Sequence, residues 1–121
     1  NRIIGCVNAP SLQQKVIGRC VDVQVDLEYY DRNRTALYEG LKECGFDCVK
    51  PEGAFYMFLK SPVEDENLLC AAAKTYNILM VPGTSFECPG YVRLAYCVSY
   101  DTIVKSMAGF KKLAEEYGLR Q

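Results

Sequence analysis

Between Ile78 and Val98 two short apolar runs lie on either side of a Pro- and Gly-rich crossing, ILMVPGTSFECPGYVRLAYCV, and this stretch restricts the fold more than any other. Ile78 to Val81 reads as a buried strand cut off at Pro82-Gly83. Tyr91 to Val98 reads as a second strand, in which alternation sends Val92, Leu94 and Tyr96 to one face and Tyr91, Arg93, Ala95 and Cys97 to the other. An arginine inside so apolar a strand needs an explanation, because Arg is seldom buried without a partner. Its stem can pack while its head reaches water. It can pair with an internal Asp or Glu. Or its planar fork of donors can take up a carboxylate or phosphate from outside.

The rest of the chain supplies the elements that such strands pack against. Pro10-Ser11 suits a helix entry, with Leu12, Val16 and Ile17 on one face. From Cys20 to Leu27, Val21, Val23, Val25 and Leu27 alternate with polar residues, which by period alone is an edge strand. Leu27 to Cys44 is a helix with Leu27, Tyr30, Ala36, Leu37 and Leu41 inward, closed by Gly45. Phe46 to Val49 starts a strand that Pro51 stops, and Glu52-Gly53 turns the chain. Ala54 to Lys60 is apolar on both faces and is predicted to be a central strand. Ser61-Pro62-Val63-Glu64 fits a capping box for a helix that runs to about Tyr76. A last helix, capped by Ser99, Asp101 or Thr102, buries Ile103, Met107, Phe110, Ala114 and Tyr117 and stops at Gly118. The predicted fold class is α/β, a small mixed sheet of about four strands with helices packed against it.

Composition excludes several chemistries. The 121 residues contain no histidine, so the chain holds no Ser-His-Asp or Cys-His nucleophile system and no imidazole metal ligand. A net charge of −1 provides no basic field for nucleic acid or an anionic membrane. The apolar runs are too short to span a bilayer, and no metal site is predicted. The seven cysteines are odd in number and lack a C-x-x-C spacing. Cys20, Cys70 and Cys97 read as packed thiols in a reducing, cytoplasmic protein rather than as a disulfide framework. No signal peptide is read at the start. The first residue is Asn1 rather than Met, from which a piece cut from a longer protein is expected.

Two segments together resemble a known family. Pro51-Glu52-Gly53-Ala54-Phe55-Tyr56-Met57-Phe58 is similar to the P-x-G-A-F-Y-x-F strand of class I/II, aspartate aminotransferase-like, pyridoxal-phosphate-dependent aminotransferases. Val81-Pro82-Gly83, Phe86, Gly90 and Arg93-Leu94 follow the order of that family's carboxylate-binding segment. The resemblance runs from about Asn8 to the end and covers only the C-terminal part of the family's longer chain. It implies that residues 1–26 are a helical hinge segment toward a large domain and that 27–121 are the small C-terminal domain. For Cys20 to Leu27 it implies a helix end and a bend in place of the strand.

The resemblance also implies a reaction, the transfer of an amino group from an amino acid to a 2-oxo acid. Arg93 would hold the substrate α-carboxylate. Phe55 would border the side chain, with core packing equally open to it, while Tyr56 is expected in the core. Gly53, Pro82, Gly83 and Phe86 would position the loops. The cofactor would be pyridoxal 5′-phosphate, held mainly by the large domain. None of the lysines, Lys15, Lys50, Lys74 and Lys105 among them, stands in the family's Ser-x-x-Lys segment. No catalytic residue is therefore expected here, and the piece alone should be inactive. A homodimer is expected for the full-length enzyme. One departure from the pattern is Glu87, where the family has Gly: it needs ordinary backbone angles to be unstrained and places a negative charge near Arg93. Two alternatives share these residues, a related pyridoxal-phosphate lyase or decarboxylase, and a free-standing α/β module with Arg93 as its anion site.

Overall fold

The computed structural model describes residues 10–119. The apolar run 1–9 and the first part of the expected hinge segment lie outside the described residues. The elements are α1 (Ser11–Ile17), α2 (Leu27–Glu43), β1 (Tyr56–Lys60), α3 (Glu66–Thr75), β2 (Val81–Pro82), a 3₁₀ turn (Gly83–Phe86), β3 (Tyr91–Ala95) and α4 (Tyr100–Glu116). The three strands form an antiparallel sheet in the order β1-β3-β2. Tyr56 pairs with Ala95, Phe58 with Arg93 and Lys60 with Tyr91, while Val81 reaches Arg93 from the other side.

One face of this sheet is closed. Met57 and Leu59 of β1 and Val92 and Leu94 of β3 join Tyr96 in a core with Leu37 and Leu41 of α2, Leu69 and Ala73 of α3, and Ile103, Phe110, Leu113 and Ala114 of α4. The opposite face carries Tyr56, Phe58, Arg93 and Ala95, which are half-buried or exposed. The result is two layers, helices against one side of a sheet, as the α/β reading predicts.

The helix ends follow side-chain chemistry. Asp26 caps α2 by accepting from Tyr29 N at 2.9 Å. That cap takes the end of the Cys20–Leu27 stretch, which is turns and coil rather than a strand. Ser99 caps α4 by accepting from Thr102 N. Gly45, at φ 90°, and Gly118, at φ 65°, close α2 and α4 as predicted.

Four expectations change. The predicted strand Phe46–Val49 shrinks to a single bridge between Cys48 and Leu59. The backbone just before it is committed to the helix end, Phe46 N bonding back to Leu41 O, and Pro51, just after it, has no N–H. The Ala54–Lys60 strand lies at the edge of the three-stranded order, and β3 is central. Its outward Tyr56 and Phe58 face the open side instead of a second helical layer. Ile78–Val81 is not a buried strand: Ile78 and Met80 turn inward, Leu79 is exposed, and pairing begins only at Val81. Ser61 does not start α3 either. Its hydroxyl accepts from Val63 N within a turn, and the cap is Asp65, which accepts from Asn67 N.

Of the cysteines expected to be packed, Cys70 is buried but Cys20 and Cys97 are exposed. Cys20 follows α1, which buries none of its residues, and Cys97 lies where β3 has ended. Cys20, Cys48, Cys70, Cys88 and Cys97 carry free thiols. Burial pushes the Cys48 and Cys70 thiols up, away from reactive thiolate. Among the described residues no group of acidic and cysteine side chains could hold a metal ion, and no helix is long and apolar enough to cross a membrane.

Candidate functional site

Arg93 stands in the middle strand on the open face. Its guanidinium carbon lies 3.7 Å from the centre of the Phe86 ring and 4.1 Å from that of Tyr56. A guanidinium is weakly hydrated and stacks on aromatic faces. Two such contacts, about 0.5–1 kcal/mol each at a half-open site, hold its plane while leaving its N–H edge available. Phe58, opposite Arg93 in the register, meets Phe86 edge to face at 6.3 Å. Two aromatic rings therefore hold the cation, and a third packs against one of them.

The internal ion pair that could have explained Arg93 is not found. Among the described residues the salt bridges are Arg34–Asp31, Lys42–Asp47 and Lys105–Asp101, and none involves Arg93. Glu87, the departure from the family pattern, is exposed and does not pair with it. Glu87 does not have the ordinary angles that an unstrained Glu needs: it adopts φ 57° and ψ 29°, a left-handed conformation. It ends the 3₁₀ turn, and the chain must reverse there to bring Cys88 N onto Gly83 O at 3.0 Å.

The positioning residues fall into two groups. Pro82 pairs with Val92 in β2 and leads directly into the 3₁₀ turn that presents Phe86. Gly83 is buried, and a Cβ there would stand 2.1 Å from Cys88 O and 2.5 Å from Tyr91 O, so only glycine lets the loop fold onto itself. These three assemble around Arg93. Phe55 and Gly53 do not. Phe55, 39% exposed, packs on Tyr30 at 5.1 Å between ring centres. It borders a hollow of about 320 Å³ whose lining includes Val25, Leu27, Arg34 and Glu52. Gly53 has open space where a Cβ would go, and the left-handed residue of that turn is Ala54, at φ 61°.

Sequence reasoning missed three residues. Tyr56, expected in the core, is 41% exposed and forms one wall of the Arg93 clamp. Its position two residues from Phe58 on the outward face of the strand was the available signal. Tyr96 is buried, and its hydroxyl donates to Ala54 O at 2.7 Å and Gly53 O at 3.1 Å, tying the turn before β1 to the end of β3. Burial pushes that phenol up, so it remains a donor. Glu66 is buried at the start of α3. One carboxylate oxygen accepts from Thr84 N at 3.2 Å and from the Thr84 hydroxyl, and the other accepts from Gly90 N at 3.2 Å. The Thr84 hydroxyl, followed by backbone N–H groups, lowers its pKa to about 2.

The model of the family "Aminotransferase class I and II" matches residues 6–108. A probable aspartate/prephenate aminotransferase of Aquifex aeolicus is 38% identical over 97 residues, which is 72% of this chain and 24% of that protein. A crystal structure of an amino transferase from Eubacterium rectale superposes with a TM-score of 0.86 at 46% identity, covering 96% of this chain and 29% of the other. The aspartate aminotransferase of Thermus thermophilus with maleate superposes at a TM-score of 0.68 and 34% identity, covering 71% and 23%. The chain thus spans about a quarter of the length of the curated relatives it matches.

Proposed function

The chain belongs to the class I and II aminotransferases, and from that premise we propose that it is the carboxylate-binding small C-terminal domain of a pyridoxal-phosphate-dependent aminotransferase. Residues 27–121 would form that domain and 1–26 its hinge toward a large domain. The whole enzyme would move an amino group from an amino acid to a 2-oxo acid, as a cytoplasmic homodimer. The observation that carries the proposal is Arg93: a guanidinium clamped between Tyr56 and Phe86 on an open sheet face, without a carboxylate partner among the described residues.

Arg93 would bind the substrate carboxylate through two parallel N–H···O bonds. Two bonds fix rotation as well as position, so the bonds at the adjacent Cα take a defined direction. The aromatic clamp means that little side-chain freedom is lost when the anion arrives, which is the part of binding that pre-organisation improves. The maleate named with the Thermus structure is a dicarboxylate, and a dicarboxylate is the natural first probe.

The residues of this chain do not themselves fit pyridoxal phosphate. Every lysine is exposed, and none lies in an apolar hollow where an amine would become a nucleophile. The cofactor would be held by chain outside these 121 residues. The piece alone would bind a carboxylate and catalyse nothing. The test is the mass of the native polypeptide that contains this sequence, after borohydride reduction. A pyridoxyl adduct on a lysine outside these residues is the expected result. A native product with no adduct would overturn the cofactor assignment.

A further inference from the structure

Among the described residues Glu66 is the one buried side chain that carries a formal charge, and it has no cation beside it. A buried carboxylate without a cation is tolerated only when its lone pairs are met by donors. Here the donors come from the loop that leads to Arg93: Thr84 N and its hydroxyl at one end, Gly90 N at the other. Gly90 is fastened on its other side as well, its carbonyl accepting from Ser61 N at 2.9 Å. Between these anchors lies Phe86, whose ring covers the Arg93 guanidinium.

We infer that Glu66 is a positioning residue of the Arg93 site: its carboxylate pins the Gly83–Gly90 loop so that Phe86 closes on the guanidinium and sets the plane of the fork. The inference rests on the reading of Arg93 as a carboxylate binder. An ionised carboxylate only accepts. Glutamine at this position would turn an NH₂ group toward one of the two ends of the loop and release it. Aspartate keeps the charge but is one methylene too short to serve both ends at once.

The test is NMR on the ¹⁵N-labelled protein with succinate as the probe. Between the Phe86 and Tyr56 rings the Arg93 Nε–H resonance is expected to be shifted by ring currents. Glu66→Gln is expected to return it toward the position of an exposed arginine, to speed Gly90 amide exchange at least tenfold, and to weaken succinate binding about tenfold or more. Met57 and Leu94 amides, in the core sheet, should be unmoved. Glu66→Asp should lie between wild type and Gln. Thr84→Val, which removes one donor and leaves the carboxylate, supplies the same readout if the Gln variant does not fold. An Arg93 resonance and succinate affinity unchanged, within twofold, while Gly90 exchange rises would overturn the inference and make Glu66 a loop staple only. Wild type that does not bind succinate would count against the carboxylate-binding reading. In that case the Arg93 resonance in the variants still decides whether Glu66 positions it.

Discussion

Lysine in place of Arg93 would keep the charge and lose the plane. An ammonium is a strongly hydrated point charge that cannot stack between two rings or offer two parallel donors. Arg93→Lys is expected to weaken maleate or succinate binding at least tenfold, read by titration. Unfolding free energy should change by no more than about 2 kcal/mol, since each of the two clamping rings contributes about 0.5–1 kcal/mol. Equal affinity in the variant would mean that charge alone attracts the anion. At Glu87 the sign is reversed. A left-handed Glu is strained by about 1–2 kcal/mol, while glycine gives back roughly 0.5–1 kcal/mol through the entropy of the unfolded chain. Glu87→Gly should therefore stabilise the protein by about 0.5–1 kcal/mol in urea unfolding. The family resemblance could mark Glu87 as the place where glycine is expected, but the sign of its φ appears only when Cys88 N is seen to fold back onto Gly83 O. The same limit applied to Tyr56. Alternation gave its face correctly, but whether that face is covered depends on how many layers the molecule has.

Two buried polar side chains, neither legible from pattern, join the elements. Asn33 lies on the inward side of α2, and its Nδ2 donates to Tyr96 O at 3.1 Å and Val98 O at 2.7 Å, fastening that helix to the end of β3. Val98 O also accepts from Tyr29 OH, so removal of the amide leaves mainly Tyr96 O without a donor. Asn33→Leu keeps the branched shape and should cost about 1–3 kcal/mol, the penalty of one unsatisfied buried carbonyl, offset in part by removal of the Asn33 Oδ1, which accepts no hydrogen bond, by urea unfolding. Glu66 makes the corresponding tie between α3 and the loop before β3, and its contribution depends on pH. Its carboxyl is held at about 2 in the folded protein against an ordinary 4.5. The depressed value means that the contribution is fully present above about pH 4.5 and fades as pH falls toward 2. The gap between wild-type and Glu66→Gln urea midpoints should accordingly narrow through that window, and a gap independent of pH would show that ionisation does not matter. Periodicity located α2, α3, α4 and both long strands because burial of apolar faces sets them. It could not see that Phe46–Val49 makes one bridge only. That outcome is decided by competition for backbone donors, Phe46 N going to Leu41 O, and not by hydrophobic pattern.

At the scale of the whole molecule the apolar surface is distributed unevenly. The sheet face beneath the helices is sealed, but α1 buries none of its residues, and Leu12, Ile17, Val21, Val23 and Leu27 are each more than 60% exposed. A run of large apolar side chains in water along one segment is the mark of a surface that meets other protein. The open face adds Tyr56, Val81 and Phe86, all near 40% exposed, around Arg93. That arrangement would suit the proposed hinge and a site wall that closes against further chain, whereas on a free-standing binding module such surface would bring a risk of aggregation. The 121-residue protein by itself should bind an apolar-surface dye and sediment with a concentration-dependent mass. Aspartate at Val21 and Val23 should reduce both effects without moving the Arg93 Nε–H resonance, because neither residue is part of the site. A monodisperse monomer that binds no dye would leave those side chains without the role assigned to them and favour the module over the domain.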